Sequence, residues 1–125
     1  MIIGSVANLE ATIPIAINDR VGIRHVLQVV IDTGYNGHLT LSDSLINSLG
    51  LVFSGKLRGM LADGTVVSMS TYIAEIEWLG ALRKVVVTQA EGSPLVGMAL
   101  LQNNRLTFDA IDGGQVTIES LEAQP

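Results

Sequence analysis

The side chain best placed for acid–base chemistry is Asp32, a carboxylate followed by the Thr33 hydroxyl and by Gly34, and delivered by the apolar run Val29-Val30-Ile31. An ionised carboxylate can take a proton from water while a second, protonated carboxyl polarises a carbonyl, and peptide hydrolysis by two carboxyl groups needs that division of labour. Gly34 lets the backbone approach the carboxylate and donate an N–H to it, and the Thr33 hydroxyl can hold the loop by hydrogen bonding. Taken alone, Asp-Thr-Gly at a strand end is an ordinary turn sequence.

Other chemistries find little support. The chain has no cysteine, which removes disulfides, thiol nucleophiles and Cys-ligated zinc together. His25 and His38 have no carboxylate or cysteine at metal-ligand spacing, so no metal is expected. Ser42, Asp43 and Ser44 lie near His38 without a nucleophile-elbow sequence, and Asp112-Gly113-Gly114 reads as a turn, so no cofactor is expected either. Seven basic residues stand against twelve acidic ones for a net charge of -5, and the basic groupings are only Arg83-Lys84 and the spaced Lys56 and Arg58. That field favours neither nucleic acid nor an anionic membrane as partner. The start lacks a basic region with a long apolar stretch, and no apolar run reaches membrane-spanning length, so a cytoplasmic location is expected.

The elements that must position Asp32 are mostly strands. A length of 125 residues with 48% hydrophobic content suits one domain over residues 1–125. Only 4% are aromatic, so the core must be Ile, Val, Leu and Ala. Leu9 to Asn18 alternates as a strand with Ala11, Ile13, Ile15 and Ile17 on one face, and Pro14 argues for an edge or a bulge. A turn at residues 19–22 leads to a strand at 23–31 ending at Asp32. After a loop at 34–37 come a short strand at 38–41 and a helix with Ser42 as N-cap, an apolar stripe of Leu45, Ile46 and Leu49, and Gly50 beyond its end.

Residues 56–61 and 65–78 flank Ala62-Asp63-Gly64, whose Asp-Gly pair suits a tight, projecting hairpin. A second hairpin turns at residues 79–81 into a strand at 82–88. Then follow Leu95-Val96-Gly97, a short helical turn at 98–102, a strand at 105–108, a turn at 112–114 and a strand at 115–121. Apolar stretches at 1–6 and 116–121 can interleave in a dimer sheet or close one barrel. Many close-spaced strands with one or two short helices indicate a mostly antiparallel β-barrel or sandwich.

Three features stand in order: Asp32-Thr33-Gly34 after Val-Val-Ile, the Ala-Asp-Gly hairpin about thirty residues later, and Leu95-Val96-Gly97 about sixty residues later before a helical segment. In that order and spacing the chain resembles the retropepsin-like family of aspartic proteases, from retroviral proteases to their bacterial relatives, over roughly residues 9–121.

The resemblance implies an all-β fold: a small closed antiparallel barrel with one or two short helices, active as a homodimer in which each subunit contributes one Asp-Thr-Gly loop. It implies Asp32 as the catalytic carboxylate, Thr33 as a hydroxyl bonding across the dimer, and Gly34 as lining substrate backbone. The paired carboxyls would share one proton and titrate as a unit. The hairpin residues Met60, Leu61, Ala62, Asp63 and Gly64 would form a flap over a peptide or protein substrate, with Tyr35, Asn36, Val96 and Met98 as further contacts.

Tyr35 stands where the family often has Ala. Asn36 and Met98 stand where retroviral members pair a carboxylate with an Arg; both charges are absent together, so neither is orphaned. The expected function is an aspartic endopeptidase. The alternatives are a non-catalytic dimeric peptide- or protein-binding module of the same fold, and a monomeric barrel whose motif is accidental.

Overall fold

The computed structural model describes residues 1–60 and 62–122. The described chain is all-β in character, with ten strands and two short helices. The strands are β1 (Ile2–Ala7), β2 (Glu10–Asn18), β3 (Arg24–Ile31), β4 (Leu39–Leu41), β5 (Val52–Met60), β6 (Val66–Trp78), β7 (Ala81–Gln89), β8 (Leu95–Val96), β9 (Asn104–Phe108) and β10 (Gln115–Ser120). The helices are α1 (Asp43–Leu49) and α2 (Met98–Leu101).

All ten strands join one sheet in the order β5-β6-β7-β4-β8-β3-β2-β1-β10-β9, with an additional pairing of β6 to β2 through Ile17↔Ile76 and Asn18↔Glu75. Most neighbours are antiparallel hairpin partners, as the turn sequences require. Two pairings are parallel: β3 with β8 and β4 with β7. The short β8 slots between β3 and β4, parallel to one and antiparallel to the other. This insertion carries Leu95-Val96-Gly97 to the exit of β3.

The core follows from side-chain alternation. Ile13, Ile15 and Ile17 of β2 are buried with Val29, Leu39, Leu41, Ile76, Val85, Val87 and Ile118. Pro14 lies in an interior strand instead of at an edge of the sheet. It falls between the β1 pairing, which ends at Thr12, and the β6 pairing, which begins at Ile17, so β2 is paired only with β3 there. A missing N–H on the unpaired side costs no ladder bond.

Helix α1 forms as its local chemistry dictates. The Ser42 hydroxyl accepts the Leu45 N–H at 3.4 Å, and Gly50 takes the left-handed conformation, its N–H closing on the Asn47 and Ile46 carbonyls. Ile46 and Leu49 are buried, each contributing about 1.5–3 kcal/mol of apolar burial. The terminal strands pair with each other inside one chain, from Ile2↔Ile118 to Ser5↔Gln115.

Candidate active site

Asp32 follows β3 directly, and its backbone is fixed from the neighbouring strand: the Asp32 N–H donates to the Val96 carbonyl at 2.9 Å, and the Val30 N–H to the Pro94 carbonyl at 2.8 Å. The chain then turns, with the Tyr35 N–H donating to the Asp32 carbonyl at 3.1 Å. Inside this turn the Gly34 N–H donates to Asp32 Oδ1 at 2.9 Å. Glycine suits the close approach, since a Cβ on Gly34 would lie 3.3 Å from that oxygen. The Thr33 side chain is exposed and makes no hydrogen bond among the described residues.

The loop beyond Asp32 is strapped to the start of α2. Gly97 N–H donates to the His38 carbonyl at 3.0 Å, Met98 N–H to the Tyr35 carbonyl at 2.8 Å, and Ala99 N–H to the Gly37 carbonyl at 3.2 Å. Gly97 is buried under this loop, and a Cβ there would come within 3 Å of both the Gly37 and the Tyr35 carbonyl oxygens. The Tyr35 ring folds back over Gly37 and Gly97, and its hydroxyl donates to Thr88 Oγ1 of β7 at 3.1 Å. His38 Nδ1 accepts the Val86 N–H at 3.0 Å. Burial first, and the positive charge of Arg83 second, hold the His38 imidazole below its ordinary pKa.

The β5–β6 hairpin stands over this loop. A cavity of about 590 Å³ separates them, lined by Tyr35, Asn36, Gly37 and His38 from the loop, by Leu57, Gly59, Met60 and Met69 from the hairpin, and by Val86, Thr88 and Ala99. The hairpin turn is closed by Asp63 Oδ1, which accepts the Thr65 N–H at 2.8 Å, with Gly64 at φ +89°. Hydrogen bonding, chiefly to the Thr65 side chain, holds the Asp63 carboxyl below its ordinary pKa. A second cavity, of about 510 Å³, is lined by Asp32 and Thr33 together with Val6, Leu9, Val30, Leu95, Phe108 and Ile111 among others.

No family model, curated protein or solved structure matches the chain significantly.

The residues singled out in the sequence thus divide into groups. Tyr35, Asn36 and Met60 line one cavity, and Asp32 and Thr33 line the other, so residues 32–38 contribute to both. Ala62, Asp63 and Gly64 are exposed at the hairpin tip and line neither cavity, while Leu61 lies outside the described residues. Val96 corrects the expectation of a substrate contact: its side chain is 0% exposed in the core, and it serves the site through the carbonyl that receives the Asp32 N–H. Met98 is 44% exposed but lines neither cavity, and it holds Tyr35 by its backbone N–H.

Sequence reasoning missed Thr88 and Val86 as partners of Tyr35 and His38. Their neighbourhood depends on the parallel β4–β7 pairing, for which the local sequence carries no signal. Among the described residues no group of three His, Asp or Glu side chains is arranged to hold a metal ion, and no helix is long and apolar enough to cross a membrane.

Proposed function

We propose that the chain is half of a homodimeric aspartic endopeptidase of the retropepsin-like kind. The observation that carries the reading is the state of Asp32: one carboxylate oxygen receives the Gly34 N–H at 2.9 Å, while Oδ2 makes no hydrogen bond among the described residues, at the edge of an open cavity. An oriented carboxylate with one free oxygen at a cavity wall suits proton transfer with water. The return of the sheet on itself through the β6–β2 pairing supports the closed barrel that the reading needs. The hairpin above the Tyr35–His38 loop supports the flap.

One chain supplies one Asp-Thr-Gly loop, so the second carboxyl comes from a second copy, related by a two-fold axis passing between the two Asp32 side chains. The unbonded Thr33 hydroxyl and the exposed Gly34 lie beside Asp32, where that copy and the substrate backbone meet it. Of the shared-proton pair, the ionised member takes a proton from water as it attacks the scissile carbonyl, and the protonated member hydrogen bonds to the carbonyl oxygen. The proton taken up then passes to the leaving amine. An extended peptide lies between the loop and the hairpin, with an apolar side chain seated against Tyr35, Leu57, Met60 and Met69.

The test is Asp32→Asn in the full chain, assayed against a peptide library between mildly acidic and neutral pH. The variant is expected to remain folded and dimeric and to lose cleavage. Cleavage by the variant at the parent's rate removes Asp32 from the mechanism; peptide binding by the parent without any cleavage favours the non-catalytic binding module.

A further inference from the structure

A third cavity, of about 400 Å³, opens among the β6–β7 turn, the segment after α2 and the end of β10. It shares no lining residue with the Asp32 cavity, and only Ala99 with the one beneath the hairpin. Two polar side chains on its wall are turned toward the core by strand alternation. Trp78 ends the buried row Ala74, Ile76 and Trp78 of β6; it is 5% exposed, and its indole N–H has no hydrogen-bond partner among the described residues. Arg83 begins the row continued by the buried Val85 and Val87 of β7; it is half-buried and makes no ion pair among the described residues. A buried donor left unpaired is costly to a fold, and a cation on the core side of a strand calls for an anion.

The facing wall is a fixed frame of polar groups. The Leu121 N–H donates to the Asn103 carbonyl at 3.0 Å, the Asn104 Nδ2 to the Gln102 carbonyl at 3.0 Å, and the Glu122 N–H to Ser120 Oγ at 3.1 Å. These bonds tie the turn after α2 to the end of β10. The Glu122 carboxylate lines the same cavity as Arg83 without pairing to it. A guanidinium and a carboxylate that share a cavity and do not meet leave room for a ligand carrying the opposite pair of charges.

We propose that this cavity binds a free α-amino acid, its carboxylate held by the Arg83 guanidinium and the Trp78 indole N–H and its ammonium by Glu122. A planar carboxylate matches the fork of a guanidinium, and the indole N–H adds a neutral donor. One cation opposed by one carboxylate suits a zwitterion; phosphate would meet repulsion from Glu122, in a chain whose net charge is already -5. A volume of about 400 Å³ is of the size that small-molecule sites use. Asp32 takes no part, so the site stands whether or not the chain cleaves peptides. Arg83 also acts on His38, whose pKa its positive charge helps to lower, and this gives the site a reporter.

The full chain is titrated with each of the common α-amino acids, followed by calorimetry and by the emission of Trp78, the only tryptophan in the sequence. At least one is expected to bind saturably at a single site and to change that emission. Arg83→Gln and Glu122→Gln are each expected to weaken its binding on the order of tenfold or more, and Trp78→Phe by about fivefold in calorimetry. The N-acetylated form of the same amino acid, which lacks the ammonium, is expected to bind the parent as weakly as the free amino acid binds Glu122→Gln. A carboxylate seated on Arg83 offsets its charge, so the His38 ring protons, followed by NMR, are expected to titrate at higher pH with ligand than without it; Arg83→Gln abolishes that ligand-dependent change.

Absence of binding by every amino acid at millimolar concentration overturns the proposal, as does binding that Arg83→Gln and Glu122→Gln both leave at the parent's affinity. Inorganic phosphate or acetate bound more tightly than every amino acid also overturns it and makes the cavity a simple anion site. Binding abolished by Asp32→Asn moves the ligand to the other cavity and overturns it likewise. Should Arg83→Gln fail to fold, Glu122→Gln, at an exposed residue, and the N-acetyl comparison decide the question.

Discussion

Gly97→Ala tests whether the loop beyond Asp32 is packed as tightly as its geometry indicates. Gly97 has φ -113° and ψ -178°, an extended conformation open to any residue, so the substitution carries no backbone strain. Its cost is steric. The new methyl would come within 3 Å of the Gly37 and Tyr35 carbonyl oxygens, and these are backbone atoms that cannot swing aside. Restoring ordinary contact requires the loop to retreat by about 1 Å.

That retreat stretches the Gly97–His38, Met98–Tyr35 and Ala99–Gly37 hydrogen bonds, now 3.0, 2.8 and 3.2 Å. Losing two or three of them at about 0.5–1.5 kcal/mol each, with residual overpacking, gives a destabilisation of about 2–4 kcal/mol. For a domain of this size that lowers the melting temperature by roughly 8–15 °C.

Thermal and urea unfolding followed by circular dichroism measures the loss. Gly80→Ala serves as the control, because Gly80 has φ +85° with nothing within 4 Å of a Cβ, and its cost is backbone strain alone, about 1 kcal/mol. If Gly97→Ala melts within about 2 °C of the parent, or is less harmful than Gly80→Ala, the loop is not held against Gly97 and the steric argument fails.

Two further predictions concern the same loop. Tyr35→Phe removes the 3.1 Å bond to the buried Thr88 hydroxyl but keeps the ring over Gly37 and Gly97, so a loss of about 1 kcal/mol is expected. Tyr35→Ala, which also empties the ring's space, should cost about 3 kcal/mol or more in the same urea titration, and equal losses from the two variants would dismiss the ring packing. His38 is held below its ordinary pKa of 6.5 by burial and Arg83, so the unfolded chain takes up a proton there before the folded one does. Its contribution to stability is therefore full above about pH 6.5 and is lost as the pH falls through the lower folded value. His38→Asn, which can still accept the Val86 N–H, should flatten that part of the stability–pH curve, and a curve of unchanged slope would refute the assignment.

The helix at residues 43–49 was legible because its signals are local: a Ser42 cap, an apolar stripe and a Gly50 stop act within a few residues of chain. The strands around Asp32 and the Asp63-Gly64 turn were legible for the same reason, through alternation and turn chemistry. So was the short contact between Gly34 N–H and the Asp32 carboxylate, which spans two residues. One expected boundary moved clearly: the strand expected to begin at Lys56 begins at Val52, because pairing with Ile73 and Tyr72 carries it through a bulge at Phe53/Gly55.

Tertiary structure alone decided which strands meet. The insertion of β8 between β3 and β4 joins Val30 to Leu95 and Leu39 to Val96, and it turns Val96 inward and makes Gly97 the floor of the loop. Partners more than fifty residues apart are selected by the shared core they bury, and no window of sequence contains both halves of that choice. The pairing of β1 with β10 is of the same kind: the apolar character of both ends is written in the sequence, but whether they satisfy each other or a second chain depends on where the rest of the sheet leaves their edges. The chemistry of Asp32, Thr33 and Gly34 belongs to the sequence. The division of their loop between two cavities belongs to the fold.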